Sequence, residues 1–117
     1  MSESEYLEAR VRASISPVEV MGMMQQKPGG FLIIDVRNGP VASKIRGAIR
    51  VPESSIADWI IAAPRDQLIV LYSWDADCDL GIRAAITLLN AGRDARELRG
   101  GIAAWNQLGL PVDDYSA

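Results

Sequence analysis

No histidine occurs in the 117 residues of this chain, and cysteine occurs once. The first absence removes the side chain that most often serves as general base and metal ligand near neutral pH. Ser-His-Asp hydrolysis, Cys-His catalysis and histidine-based zinc sites therefore cannot be assembled from these residues alone. The single cysteine excludes an internal disulfide. No apolar run approaches the ~20 residues needed to cross a bilayer, and the start Met1-Ser2-Glu3-Ser4-Glu5 lacks the basic and apolar stretches of a signal peptide, so a cytoplasmic location is expected. A formal net charge of -3 offers no general attraction to nucleic acid or to an anionic membrane, and neither is expected as a partner.

What is present suits one globular domain, since a hydrophobic fraction of 49% supplies a core and argues against disorder. Residues 5–13 contain good helix formers and read as a short N-terminal helix. Ser16-Pro17-Val18-Glu19 is a cleaner start signal, with a serine cap, proline at the first helical position and glutamate three residues after the cap. That helix runs to about Gln26 and stops at Pro28-Gly29-Gly30. Phe31-Leu32-Ile33-Ile34 reads as a buried strand leading into Asp35-Val36-Arg37, and Asn38-Gly39-Pro40 is turn chemistry.

Ala48-Ile49-Arg50-Val51 reads as a second brief strand, and Ser54-Ser55 can cap a helix that covers Ile56, Trp59 and Ile60. A third strand, Leu68 to Tyr72, precedes a loop and a helix from about Asp79 to Ala91 with Ile82, Ala85, Ile86 and Leu89 on one face. Ala95 to Leu98 makes a last strand, and Ile102-Ala103-Ala104-Trp105 a closing helix after the turn at Gly100-Gly101. Trp59 and Trp105 are expected in the core. Short apolar strands alternating with helices call for an α/β fold, a parallel β-sheet flanked by helices on both faces.

Chemistry concentrates where the third strand ends. Ser73-Trp74-Asp75-Ala76-Asp77-Cys78-Asp79-Leu80-Gly81-Ile82 carries the chain from that strand to Arg83, and a strand breaking into a tight loop before a helix is where α/β proteins place anions and nucleophiles. Three carboxylates surround the thiol of Cys78, against one arginine, which opposes a thiolate and repels anionic donors. Asp75, Asp77 and Asp79 have the spacing that begins a calcium loop. Leu80 and Ile86 stand where such a loop needs glycine and glutamate, so no metal site is expected. Trp74, within the loop, can wall a pocket or offer a contact surface.

In their order, these motifs resemble the rhodanese-like domain, a single-domain sulfurtransferase family, over Ile15 to Val112. Asp35-Val36-Arg37 resembles its first motif and Ile45-Arg46-Gly47-Ala48-Ile49-Arg50-Val51-Pro52 its second. The closing segment Arg96-Glu97-Leu98-Arg99-Gly100-Gly101-Ile102-Ala103-Ala104-Trp105, with Gly109-Leu110-Pro111-Val112, is the most specific. Residues 1–14 are then an N-terminal helical extension and 15–117 the rhodanese-like domain. Ser43 and Lys44 depart from the glycine and histidine usual in the family.

The resemblance implies sulfur transfer by a cysteine just after the central strand. That cysteine takes sulfane sulfur from thiosulfate or a thiol carrier, becomes a persulfide and passes the sulfur on, helped by loop amides and a helix N-terminus. The expected partner is thus a small sulfur-containing substrate or a thiol carrier protein, with no cofactor. Anchoring on the strand end and on Arg83-Ala84-Ala85 places Ser73 at the nucleophile position in a longer loop. Anchoring on Cys78-Asp79-Leu80-Gly81-Ile82-Arg83 reproduces the family's Cys-x-x-Gly-x-Arg spacing but shortens the helix. The first register keeps the core elements aligned and is preferred.

Ser73 cannot form a stable persulfide, and no histidine activates it. Transfer is therefore expected to be lost or impaired, leaving a non-catalytic binding or regulatory module. The alternative is a sulfurtransferase in which Cys78 carries the persulfide, with Arg83 and the loop amides stabilising it. By the same resemblance Arg37 and Arg83 would flank the mouth and hold an anionic substrate; for Arg37 a salt bridge or carbonyl contact fixing the turn at Asn38-Gly39 is an equal alternative. A phosphatase-like member of the fold fits least, because four residues separate Cys78 from Arg83 and the loop is acidic.

Overall fold

The capping box at Ser16 forms in full, with the Ser16 hydroxyl accepting from the Glu19 N–H at 3.1 Å and the Glu19 carboxylate accepting from the Ser16 N–H at 3.2 Å. It starts α2, Pro17–Gln26. The computed structural model describes residues 2–115. Before α2 stand α1, Glu3–Arg12, and β1, Ser14–Ile15; after it come β2, Leu32–Asp35, β3, Ser43–Ile45, and β4, Ile49–Arg50. A 3₁₀ turn at Glu53–Ser55 leads into α3, Ile56–Trp59, followed by β5, Ile69–Tyr72, and α4, Leu80–Asn90. The chain continues through β6, Ala95–Leu98, and α5, Gly101–Gln107, to β7, Val112–Asp114.

Five strands form one sheet in the order β1-β6-β5-β2-β4, with every neighbouring pair parallel. Alternation along β5 sends Val70 and Tyr72 to one face and Ile69 and Leu71 to the other. Val70 and Tyr72 pack with Val20 of α2 and with Ile102 and Trp105 of α5. Ile69 and Leu71 pack with Ile56 of α3 and with Ala84, Ala85 and Leu88 of α4. The sheet is covered on both faces, as its apolar strands require. Small strands β3 and β7 pair antiparallel outside it, Ser43 opposite Asp114.

The helices α3 and α4 differ in detail from the sequence reading. The buried face of α4 is Gly81, Ala84, Ala85 and Leu88 rather than the one carrying Ile86 and Leu89, which are 51% and 42% exposed. Small residues let the helix axis approach the sheet closely, so packing overrides the row of larger side chains. Ser54 and Ser55 lie within the 3₁₀ turn, and neither side chain caps α3.

The topology also fixes where a site can stand. From β2 the chain goes to β4 at one edge, whereas from β5 it goes to β6 on the other side. The connections leaving the adjacent strands β2 and β5 therefore run to opposite sides of the sheet, and the carboxyl ends of strands at such a switch point are the usual place for ligands.

Candidate functional site at the end of β5

Ser73 is the first residue after β5 and is 4% exposed. Its carbonyl accepts a hydrogen bond from the Ile102 N–H, and the Trp74 carbonyl accepts from the Ala103 N–H, both at 3.0 Å. The N-terminal amides of α5, which have no partners within their own helix, thus hold the start of the loop. This contact needs Gly101: a Cβ there would stand 2.5 Å from the Ser73 carbonyl oxygen and 2.9 Å from the Asp75 nitrogen, and φ is +60°. Glycine alone reconciles that conformation with so close an approach.

The loop then turns back on itself. The Asp75 carboxylate accepts from the Asp77 N–H at 3.0 Å, and the Asp75 carbonyl accepts from the Cys78 N–H at 3.2 Å. An aspartate side chain bonding the backbone two residues on is a standard turn-former. The curl returns Cys78 to the strand end, where its half-buried sulfur lies 3.0 Å from the Ser73 hydroxyl oxygen. The two residues that competed for the nucleophile position in sequence are thus neighbours. Leu80, Gly81 and Ile82 follow at once as the first turn of α4, whose N–H groups lie outside the helical ladder.

Arg83 stands elsewhere than expected. Its Nε donates to Asp79 at 2.8 Å, and the two side chains are 63% and 60% exposed, a surface pair at i,i+4 spacing rather than a counter-charge aimed at the thiol. Asp79 raises the Arg83 guanidinium above its ordinary value by this hydrogen bond and by its charge.

For Arg37 the structure shows the salt bridge and carbonyl contact of the alternative reading. It is 3% exposed and clamped by Asp35, with Nε donating to Oδ1 at 2.9 Å and Nη2 donating to Oδ2 at 2.8 Å. Nη2 also donates to the Ser43 carbonyl at 2.6 Å. Burial opposes the charge on Arg37, but the hydrogen bonds and charge of Asp35 outweigh it and hold the guanidinium above its ordinary value. Buried and paired with Asp35, Arg37 acts as a strut that fixes the turn after β2. Its guanidinium carbon lies 4.9 Å from the Trp74 ring centroid and 5.5 Å from that of Tyr72. The Trp74 indole N–H donates to the Asn38 side-chain oxygen at 3.3 Å. So the loop after β2 holds the loop after β5.

Around this strut lie further polar groups. Tyr72, fully buried, accepts from the Ile45 N–H at 3.1 Å, and burial, followed by the charge of Asp35, pushes its phenol up. Tyr115 donates to Asp35 at 3.3 Å, and Arg50 donates to the Arg37 carbonyl at 3.1 Å and to the Gly39 carbonyl. Asn38 and Glu97 are the site-proximal residues that motif reading passed over. For Glu97 a signal was available, since alternation turns it inward with Ala95.

A family model described as the rhodanese-like domain matches residues 16–108. A full-length protein from Lactobacillus plantarum is 32% identical, with a TM-score of 0.89 and 96% of each chain covered. The rhodanese-like domain of the Anabaena sp. protein Alr3790 is 24% identical with a TM-score of 0.76, over 86% of this chain and 78% of that one, a likeness of fold. The HTH-type transcriptional regulator Rv0324 of Mycobacterium tuberculosis is 32% identical over 94 residues, which are 79% of this chain but 42% of that protein. This chain therefore spans less than half the length of that relative.

Proposed function

The chain belongs to the rhodanese-like domain family, and from that premise we propose a module in which ordinary thiosulfate sulfur transfer is lost or impaired. One observation carries the reading: the residue that directly follows β5 is Ser73, buried, with its hydroxyl engaged by Cys78 at 3.0 Å. In the family's reaction a thiolate attacks the sulfane sulfur of thiosulfate, sulfite leaves with the electrons of the S–S bond, and the persulfide later yields its terminal sulfur to an acceptor thiol or to cyanide. A hydroxyl at that position forms no comparable intermediate, and the chain has no histidine to activate it. The acidic residues Asp75, Asp77 and Asp79 further disfavour a dianionic donor. The fold and loop then serve to bind a small sulfur compound or a thiol carrier protein rather than to turn one over.

The same contact favours a second reading, in which Cys78 carries the persulfide. Its sulfur is returned to the strand end, and the Ser73 hydroxyl can donate to a sulfur anion there. The first turn of α4 adds amide dipoles beside it.

Thiocyanate formation from thiosulfate and cyanide tests the first reading. The unmodified chain is expected to match Cys78→Ser at background; robust turnover would overturn it. Mass spectrometry after exposure to thiosulfate decides the second reading, for which one added sulfur atom on Cys78 is required.

A further inference from the structure

β6 carries a carboxylate beneath the loop where the face of the sheet is otherwise apolar. Ala95 and Glu97 project toward α4, Ala95 into the core, and the register sets Glu97 beside Leu71 of β5. Glu97 is 9% exposed, and its Oε2 lies 3.6 Å from the point where a Cβ on Gly81 would stand. The cation facing it is Arg10 of α1 at 3.9 Å, too far for a hydrogen bond. Burial raises the Glu97 carboxyl above its ordinary value, with Arg10 opposing that shift.

This carboxylate forms one wall of a 340 Å³ cleft between α1 and the loop. Leu7, Arg10 and Val11 line it from α1, Asp75 from the loop, and Arg99 from the segment after β6. α1 buries none of its residues, and Leu7 and Val11 are 58% and 66% exposed, so the helix roofs the cleft without sealing it. Arg99 is fixed, with Nη1 donating to the Ser14 hydroxyl at 2.9 Å. Two carboxylates and two guanidiniums line an apolar strip, and the Arg99 guanidinium also stands 3.7 Å from the Glu19 carboxylate outside it. The ligand that complements such a wall carries both charges and a short apolar body, and the volume suits a small metabolite.

We propose that this cleft binds a small zwitterion of the free α-amino-acid class, its ammonium on Glu97, its carboxylate on Arg10 and its side chain against Leu7 and Val11. An ammonium at Glu97 would donate charge-assisted hydrogen bonds to a carboxylate to which no protein donor among the described residues is bonded. Bound there, the ligand also touches Asp75 and so rests on the outer side of the loop that carries Cys78. The inference concerns recognition alone and stands whether or not sulfur moves at that loop.

The test is titration of the ¹⁵N-labelled chain with L-leucine, followed by amide chemical shifts. Saturable shifts are expected at Val11, Ala76 and Gly100, weakened by about tenfold or more in Glu97→Gln. Isoamylamine and 4-methylpentanoate, which each keep one charge, are expected to bind at least about tenfold more weakly than L-leucine. Should Glu97→Gln lose its dispersed spectrum, Arg10→Gln, on the exposed helix, carries the same comparison. No saturable shift with L-leucine, undiminished binding in the variant, or equal affinity for either single-charge probe would overturn the assignment.

Discussion

Ser73 and Cys78 illustrate how much one residue can carry. From sequence they were alternatives set by register; in the structure a hydrogen-bonded turn at Asp75 makes them partners. That outcome depends on loop backbone geometry, which motif spacing does not encode. The sequence shows Arg37 and Arg83 beside the two loops but not which anions they pair with. Asp35 and Asp79 lie two and four residues away, and such near neighbours reach a guanidinium before any distant anion does. Glu97 shows the reverse case, a charge that the pattern of β6 turned inward. Because its folded-state carboxyl is raised, its protonated form suits the fold, and stability falls as pH rises from the ordinary glutamate range through the raised value. Glu97→Gln is therefore expected to be more stable than the unmodified chain at pH 7, with the difference closing on acidification toward pH 4. Urea unfolding across that range checks this, and a gap that widened on acidification would contradict it.

Among the elements, those with local signals were legible. The capping box began α2 at Pro17, and Ala95–Leu98 has the limits that its sequence suggested. β1, β3 and β7, of two or three residues each, were not, because their pairing is long-range: Ser14 meets Glu97 and Ser43 meets Asp114. No periodicity develops in so short a strand. Gly100-Gly101 was legible as a turn, but its purpose lies in the contact of α5 with the loop. Gly101→Ala is expected to destabilise the fold by about 2 kcal/mol or more, through left-handed strain and the clash with the Ser73 carbonyl. It should also speed reaction of Cys78 with a thiol reagent, because the loop loses its anchor. Gly47→Ala has similar φ but open space, so about 1 kcal/mol and unchanged thiol reactivity are expected. Equal behaviour of the two variants would remove the anchoring role of α5.

For the whole molecule, topology and charge act together. The sheet order puts the switch point between β2 and β5, and the loop there is acidic within a chain of net charge -3. The lone thiol thus sits in a field that selects against anions. Alkylation of Cys78 by iodoacetate should be about two- to fivefold slower, relative to iodoacetamide, than for free cysteine at low ionic strength, and added salt should narrow the gap. A ratio indifferent to salt would argue against that field. The central claim is that Ser73 occupies the place of the family's sulfur nucleophile. It is tested most directly by thiosulfate:cyanide turnover of Ser73→Cys/Cys78→Ser, which holds one thiol at the strand end and cannot form a disulfide within the loop. The expected result is a gain of about a hundredfold or more in kcat/KM over the unmodified chain; a correctly folded variant with no gain would contradict it.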